Sequence, residues 1–384
     1  MTDTAPIFID TSDSLEQLCQ QLETSSWLAI DTEFLRESTY YPQFCLLQIA
    51  TQDTVACIDP LHLEDLAPLW RLLYRQDIVK VFHAGRQDLE IFYHLHGELP
   101  MPVFDTQIAA PLLGFSDQIG YAQLVAEVLG VQLEKGHSRT DWRKRPLSPQ
   151  QIRYAGDDVR YLGPMYLKIR RQLEKLHRLS WLEEDFANLT DPATYANPPE
   201  NAWRRIKGAR KLKGRQLAIL RRLAAWRERA AVEQNLPRGW VLKDDILCQI
   251  ARLRPESPQA LAQLRGIGSK TVKRHGETIC RLVSETTAKE VQDPPYQPPT
   301  RTPEQEALLD LLSAVVRLQA AEHRVNPAVL ASRKDLEKFI DAPNDSRLCQ
   351  GWRQQLIGLD LQDFLTGKKR LQIDKGRVYL EAVK

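Results

Sequence analysis

The sequence predicts an α/β domain, built on a mixed sheet flanked by helices, followed by two all-α domains. Over residues 1–192, short apolar runs first follow one another and then alternate with helical patterns, which is typical of a mixed sheet packed against helices. Residues 208–288 and 303–384 instead carry apolar residues at helical spacing. At 384 residues the chain is long enough for two or three domains with separate cores.

In the first domain, apolar runs rich in Val, Ile, Leu and Cys predict strands. Capping signals, such as Ser12 or Asp13 and the pair Ser148-Pro149, predict where helices begin. The predicted strands cover residues 7–9, 28–33, 45–50, 54–58, 79–83 and 103–105. The predicted helices cover residues 12–22, 64–74, 85–95, 107–113 and 121–129, with one long helix from 148 to about 176.

Prolines mark the predicted limits of the helical domains. Pro192, Pro198 and Pro199 form one linker, and residues 293–303, DPPYQPPTRTP, form an extended second one. In the second domain, apolar residues at 217, 220, 223, 224 and 226 make a helical stripe opposite many arginines. Helices are predicted at 214–235, 255–264, 269–284 and, opening a mostly helical third domain, 304–321.

The composition is that of a globular protein, with 43% apolar and 27% charged residues. No run of about 18 apolar residues predicts a membrane span, and the start, MTDTAPIFID, lacks the features of a signal peptide. Six scattered cysteines without close pairs indicate reduced thiols in a cytoplasmic protein. We expect a monomer, because there is no oligomerisation signal, and no nucleotide cofactor, because there is no P-loop motif.

The net charge of +2 is unevenly distributed. Residues 1–199 have 17 basic and 28 acidic residues, a net charge of −11, whereas residues 200–290 have 21 and 9, a net charge of +12. A charge cluster is usually a solvated surface, but the excess of +12 over one helical domain is larger than an ordinary solvated surface carries. The block therefore indicates nucleic acid as a partner.

Asp31-Thr-Glu33 follows the apolar run Leu28-Ala29-Ile30. Side chains two apart on a strand project from one face, so these carboxylates are expected to point together. Close carboxylates repel each other unless a cation or a shared proton lies between them, and Mg²⁺ prefers oxygen ligands. Alone, this pattern also fits a solvated strand end.

Two further segments supply carboxylates. Asp88 falls in the first turn of a helix after the strand that ends at His83, where an acidic residue also favours the helix dipole. Tyr154 and Asp158 lie four residues apart on one helix and hence on one face, whereas Asp157 points about 100° away. Asp105-Thr106, after another strand, is interpreted as mainly structural.

Carboxylates from three segments, together with a tyrosine, predict phosphodiester hydrolysis with two divalent ions. One ion would lower the pKa of a water to make the nucleophile, and the other would stabilise the leaving 3′ oxygen. Tyr154 would orient that water. The predicted ligands are Asp31, Glu33, Asp88 and Asp158, and the ions are Mg²⁺ or Mn²⁺.

These motifs resemble the DEDD exonuclease superfamily in its tyrosine variant. They are Asp31-x-Glu33, His83-Ala-x-x-x-Asp88 and Tyr154-x-x-x-Asp158. The histidine variant has a histidine five residues before its last aspartate, where Arg153 stands here. Residues 138–148, SRTDWRKRPLS, and the three-domain layout resemble the ribonuclease D family in particular.

The resemblance covers essentially the whole chain and implies an RNase H-like fold with 3′→5′ exoribonuclease activity. It implies substrates among tRNA precursors and other structured RNAs, with metal ligation by the four carboxylates and a water-orienting role for Tyr154. It also implies an HRDC domain at 208–288 and a second HRDC-like domain at 303–384. Gly156-Asp157 departs from the small apolar residues common before the last aspartate, and the spacing from Tyr154 favours Asp158 over Asp157 as the ligand.

Other residues are candidates for holding nucleic acid. Phe34 and Leu35 follow the first carboxylates, where they would lie beside the 3′ nucleotide or belong to the core. The block around Trp142 interleaves a stacking ring with positive charge, as on a single-strand path or a solvated loop. Gly266-Ile-Gly268 before a basic helix could bind a phosphate or form a tight turn. The full candidate set is Phe34, Leu35, His83, Arg139, Trp142, Arg143, Lys144, Arg145, Lys270, Lys273 and Arg274.

The leading hypothesis is a metal-dependent 3′→5′ exoribonuclease acting on tRNA precursors. A DNA exonuclease is the second hypothesis, weakened because the chain has no polymerase or helicase segment. The third is an RNA-binding protein on a silent nuclease fold, which the intact set of four carboxylates disfavours. The third domain carries no binding signal beyond a solvated surface.

Overall fold

A computed structural model of the chain describes residues 5–133, 140–287 and 301–383. Six strands form one sheet in the order β1-β4-β3-β2-β5-β6, as predicted for a mixed sheet. β3 runs antiparallel to β2 and β4, while β2, β5 and β6 are mutually parallel, as are β1 and β4. The strands are β1 (Ile7–Ile9), β2 (Trp27–Leu35), β3 (Gln43–Ala50), β4 (Val55–Ile58), β5 (Val79–Phe82) and β6 (Val103–Asp105).

Helices cover both faces of this sheet. One face, with Leu28, Ile30 and Ile49, packs against α1, α2 and α3, and the other packs against α5, α6 and α7. The helices are α1 (Ser12–Leu22), α2 (Ala67–Leu73), α3 (Arg86–His96), α4 (Thr106–Ala109), α5 (Tyr121–Leu129), α6 (Pro149–Arg160), α7 (Leu162–Lys175) and α8 (Glu183–Leu189).

The prediction of one long helix from 148 to about 176 is wrong in one respect. The structure has two helices there, α6 and α7, separated at Tyr161. Pro164 has no N–H to donate, and its ring would clash with the carbonyl of Arg160 in a continuous helix. Gly163 lies against the indole of Trp27, and a Cβ there would lie 2.0 Å from the Trp27 ring. The break therefore lets α7 pack closely on the sheet while α6 keeps its own direction.

The second unit is all-helical, as predicted. Its core also contains Ala202, Trp203 and Ile206, so residues upstream of the predicted start at 208 pack with it. The domain limits themselves stay predictions. Its helices are α9 (Gly214–Glu233), α10 (Arg238–Val241), α11 (Asp244–Leu253), α12 (Pro258–Ala262) and α13 (Ser269–Glu285).

The third unit is mostly helical, as predicted, but it ends in a β-hairpin that the sequence analysis did not predict. Leu371 and Leu380 face each other across the hairpin and pack against the helical core, while Ile373 at the tip is 74% exposed. A π-helical turn, Gln354–Gly358, joins α17 to α18. The elements are α14 (Pro303–His323), α15 (Pro327–Leu330), α16 (Arg333–Asp341), α17 (Gly351–Arg353), α18 (Leu359–Leu365), β7 (Lys369–Asp374) and β8 (Arg377–Ala382).

Both helical units contact the α/β domain through specific polar groups. The hydroxyl of Tyr40, in the β2–β3 loop, donates to Glu228 of α9 at 2.5 Å. On the third unit, Trp352 stacks on Trp181 with ring centroids 4.5 Å apart, and Arg353 donates to Glu184 at 2.8 Å. Within the described ranges, no helix combines the length and the apolarity needed to cross a membrane.

Candidate active site

The register of the sheet places Asp31 and Glu33 beyond the end of the neighbouring strand β5. β2 pairs with β5 only as far as Ala29 opposite Val81, so the rest of β2 runs past the carboxyl end of β5. Asp31 and Glu33 point to the face under α6, as their alternation requires. A bulge in the pairing with β3 follows Glu33 and changes the direction of the strand beyond it.

Asp88 reaches the same place from α3. It is buried in the first turn of that helix, and its carboxylate accepts a hydrogen bond from the Thr32 hydroxyl between the two acidic residues of β2. The turn before α3 is held by Asp105, whose carboxylate accepts from the N–H groups of Ala84 and Gly85 at 3.1 and 2.8 Å. This confirms the structural interpretation of Asp105 and explains how Ala84 keeps a positive φ of 59°.

Tyr154 and Asp158 are brought to the site by α6. A capping box fixes the start of this helix, because Ser148 accepts from the Gln151 N–H while the Gln151 side chain accepts from the Ser148 N–H. The Tyr154 hydroxyl is hydrogen-bonded to the Asp158 carboxylate. Asp157 points away and pairs with Arg160 at 2.9 Å, in agreement with the predicted choice of Asp158.

Burial, together with neighbouring acidic groups, raises the proton affinity of the four carboxyl groups. Burial, with the charges of Asp88, Asp158 and Glu33 added, raises the pKa of Asp31 well above its usual range. Burial also raises the pKa of Glu33 to about 8, with the charges of Asp158 and Asp88 contributing. It raises the pKa of Asp158 to about 7 and that of Asp88 to about 6, against the hydrogen bonds from Tyr154 and Thr32. Such a cluster favours either protons or a bound cation.

An open cavity of ≈ 280 Å³ lies over this cluster. Its lining includes Asp31, Glu33, His83, Tyr154 and Asp158. Among the described residues, no three His, Cys, Asp or Glu side chains are already grouped closely enough to enclose a metal ion. The donors are nevertheless all carboxylate oxygens, the type of ligand that Mg²⁺ and Mn²⁺ prefer.

The comparisons with known proteins agree with this site. Residues 6–174 match the 3′–5′ exonuclease family, and residues 216–283 match the HRDC domain. Ribonuclease D of Bartonella henselae is 39% identical over 378 residues, which cover 96% of this chain and 92% of that protein. Ribonuclease D of Gluconacetobacter diazotrophicus is 41% identical over 381 residues, which cover 97% and 96%. This chain belongs to the ribonuclease D family.

The fold agrees with that membership. The crystal structure of Escherichia coli RNase D, described as an exoribonuclease involved in structured RNA processing, has a TM-score of 0.80 with this chain. The two are 34% identical, with 95% of this chain and 99% of that chain covered. The predicted family, fold class and enzymatic class are thus confirmed: the chain is a ribonuclease D-like 3′–5′ exoribonuclease. Enzymes of this exonuclease family depend on divalent metal ions.

The structure corrects the prediction for Trp142. The indole is only 2% exposed, so it offers no ring to a nucleic-acid strand. It packs instead beside Tyr154, with ring centroids 6.3 Å apart and planes inclined by 24°. The ring packs against Cys45, Leu46 and Leu147, because the hydrophobic effect favours removing this apolar surface from water. Trp142 therefore packs beside Tyr154 and restricts the position of its ring.

The prediction that Arg145 binds nucleic acid is also corrected. Its guanidinium donates to buried Asp59 at 2.6 and 2.8 Å and to the Cys45 carbonyl at 2.7 Å, so it anchors the loop rather than facing solvent. Arg143 pairs with Asp141 at 3.0 Å but stays exposed, as does Lys144. Arg139 lies outside the described residues.

Phe34, Leu35 and His83 lie near the site in different ways. Phe34 and Leu35 are half-buried against the two cores that flank β2. His83 lines the cavity, but its Nε2 donates to the Ile119 carbonyl at 3.0 Å and its Nδ1 lies 3.0 Å from the Thr106 hydroxyl. Burial lowers the pKa of His83 to about 4, so a neutral ring without a free donor faces the cavity. Nucleic-acid contact by these residues stays a prediction.

The predicted basic residues of the HRDC region are exposed. Lys270, Lys273 and Arg274 are exposed on α13, which follows Gly266 with a φ of 88° and the N-cap Gly268. Their contact with RNA also stays a prediction.

Two residues of the site, Thr32 and Tyr121, were not predicted from the sequence. Thr32 donates to Asp88, and the Tyr121 hydroxyl donates to the Asp157 carbonyl at 2.9 Å beside the cavity. A hydroxyl residue between two acidic residues of a strand was the one signal that could have identified Thr32.

Proposed function

We propose that this protein shortens RNA from the 3′ end by hydrolysing one phosphodiester bond at a time. Precursors of tRNA are the proposed substrates, and the chain would act as a monomer in the cytoplasm. The observation that carries the proposal is the meeting of Asp31, Glu33, Asp88 and Asp158 beside Tyr154, in a chain of the ribonuclease D family.

The four carboxylates are the proposed ligands of two Mg²⁺ or Mn²⁺ ions. When bound, these ions would supply a nucleophilic water and charge stabilisation at the leaving 3′ oxygen. Support comes from the all-oxygen donor set and from the raised pKa of each carboxyl group. Thr32 would hold the Asp88 carboxylate in place through its hydrogen bond.

Tyr154 is the proposed positioning group for the attacking water. Burial and the nearby carboxylates raise the pKa of its hydroxyl well above the usual range, so the group keeps its proton. Its ring is braced by Trp142, and its hydroxyl is bonded to Asp158. Because its only proton is donated to Asp158, the neutral hydroxyl can accept one hydrogen bond from the water without itself acting as a base.

The substrate would be held by positive charge outside the acidic site. Arg143 and Lys144 lie on the loop that carries Trp142, and Lys270, Lys273 and Arg274 lie on α13. The proposal for structured RNA draws support from the description of the E. coli relative, which names structured RNA processing. Residues 208–288 and 303–384 are the proposed limits of the HRDC domain and its second, HRDC-like copy.

A gel time course tests the proposal. A 5′-labelled tRNA precursor with a 3′ extension and a DNA of the same extension sequence would be incubated with Mg²⁺, Mn²⁺ or EDTA. We expect a ladder that shortens from the 3′ end on RNA only, and no ladder in EDTA. Preference for DNA would favour a DNA exonuclease. RNA binding without cleavage would indicate a silent nuclease fold.

A further inference from the structure

Gln48, in the middle of β3, is a buried polar residue that the proposed mechanism does not use. Its side chain is 0% exposed, and neither its amide nitrogen nor its amide oxygen has a hydrogen-bond partner within the protein. Of the buried side chains that the structure describes, Gln48 alone leaves two polar atoms without a partner. Such a group costs free energy relative to an apolar residue of the same size, so its presence calls for a function.

The sheet places this amide beside a proposed metal ligand. Gln48 is the direct cross-strand partner of Asp31 on β2 and of Cys57 on β4. Directly opposed residues project from the same face with Cβ atoms about 5 Å apart. Asp31, Gln48 and Cys57 therefore form one row across the sheet, beneath α6.

The neighbouring positions of β3 show that this face does not need a polar group. Leu46 and Ala50, two residues away on either side, point to the same face and are both buried. Ala155 and Val159 of α6 extend the apolar surroundings. Packing alone would thus favour a leucine or methionine at position 48.

We propose that Gln48 is a positioning residue for Asp31. After a rotation about its side chain, the amide N–H donates to the carboxylate oxygen of Asp31 that faces the sheet, which leaves the other oxygen directed at the cation. This inference rests on the proposed function, because the hydrogen bond forms when the carboxylate is ionised and held by a metal ion. Such hydrogen bonds to a ligand fix its orientation and typically change metal affinity or activity by about 10–100-fold.

The test compares Gln48→Leu and Gln48→Met with the wild type. Gln319→Leu is the control, since it removes another buried glutamine, in α14 of the third unit. The full chain would be titrated with Mn²⁺ by calorimetry, its melting temperature measured in EDTA, and kcat and KM measured on a 3′-extended RNA. We expect both Gln48 variants to bind Mn²⁺ about 10–100-fold more weakly and to lose kcat with KM for RNA unchanged. Their melting temperatures in EDTA should equal or exceed that of the wild type, because an unpartnered amide has been removed.

Two results would overturn the inference while leaving the proposed function intact. One is unchanged Mn²⁺ affinity and kcat in both Gln48 variants. The other is a lower melting temperature in EDTA for both, relative to Gln319→Leu, since it would show that the amide already stabilises the metal-free fold. A wild type that binds no Mn²⁺ would instead overturn the proposed function, and the inference with it.

Discussion

At the scale of residues, the site consists of buried acidic groups whose negative charges repel one another. Asp31 and Glu33 come from one strand, while Asp88 and Asp158 come from two helices. Their raised pKa values have a common cause, which is burial reinforced by neighbouring carboxylates. A divalent cation relieves this repulsion, so the same feature that destabilises the metal-free protein favours metal binding.

Replacing Asp158 by Asn should reduce kcat by about 10³-fold or more, because a neutral amide is a poor ligand for a hard cation. Asp157→Asn is the matched control, since Asp157 is the adjacent residue but pairs with Arg160 instead. Steady-state kinetics on 3′-extended RNA, with binding measured in EDTA, would separate the two. Equal loss in both variants would contradict the assignment of Asp158.

Replacing Tyr154 by Phe should cost less, on the order of 10²-fold in kcat, because the water loses its orienting hydroxyl while the carboxylates remain. The measurement is the rate of a single turnover at saturating metal. A loss as large as that of Asp158→Asn would mean that the hydroxyl does more than position the water.

The stability of the metal-free protein should fall as the pH rises from about 5 to about 8. The pKa of Glu33 is raised from 4.5 to about 8, so the folded state holds its proton more tightly than the unfolded state across that window. Its favourable contribution is complete below the ordinary pKa and is lost as the pH passes the raised one. Thermal unfolding in EDTA would show the trend, and Glu33→Gln should flatten it. A profile that rises with pH would contradict this account.

At the scale of elements, the site depends on how loops are held. Tyr40 in the loop after β2 packs against Ala231 and Val241 of the HRDC region and donates to Glu228. Arg205 donates to the same carboxylate at 3.0 Å. The strand that carries Asp31 and Glu33 is therefore fixed at its far end by a helical unit that contributes no carboxylate to the site.

Replacing Glu228 by Gln should lower the free energy of unfolding by roughly 1–3 kcal/mol, because the carboxylate is 1% exposed and accepts hydrogen bonds from Tyr40 and Arg205 that a neutral amide accepts more weakly. Glu200→Gln is the control: its pair with Arg229 at 3.4 Å is exposed on both sides and should matter by less than about 1 kcal/mol. Denaturant unfolding of both variants would measure the difference. Equal, small effects would contradict the role given to Glu228.

The motifs of the site could be predicted from sequence because strand alternation and helical spacing are local. Asp31 with Glu33, and Tyr154 with Asp158, needed no knowledge of the rest of the chain. Trp142 and Arg145 could not be placed, because their burial depends on Asp59 and Tyr154, which are distant or on another element. The C-terminal hairpin was missed for a related reason, since little of it is buried and its alternation is weak.

At the scale of the whole molecule, charge is distributed unevenly between the units. The α/β domain is acidic, as a metal site requires, and the HRDC region supplies the exposed cations of α13. The third unit is joined to the α/β domain through stacked Trp181 and Trp352, with Arg353 over the Trp352 ring at 4.2 Å. The HRDC region thus contacts the α/β domain through the loop after β2, and the third unit contacts it through Trp181 and Glu184.

Replacing Lys270, Lys273 and Arg274 together by Ala should weaken RNA binding and reduce the slope of log K against log salt by about 2, because three phosphate contacts release fewer counterions. A control should remove three exposed cations elsewhere, at Arg171, Lys175 and Lys334. Binding would be measured by fluorescence anisotropy in EDTA at several salt concentrations. The same slope for both variants would contradict a specific role for α13.

The most direct test of the whole account is a Mn²⁺ titration of the wild type and of Asp31→Asn by calorimetry, followed by RNA cleavage with the same samples. We expect two bound ions and 3′ shortening in the wild type, with metal binding and cleavage lost together in the variant while RNA binding persists. Cleavage without bound metal, or metal binding that Asp31→Asn leaves unchanged, would contradict it.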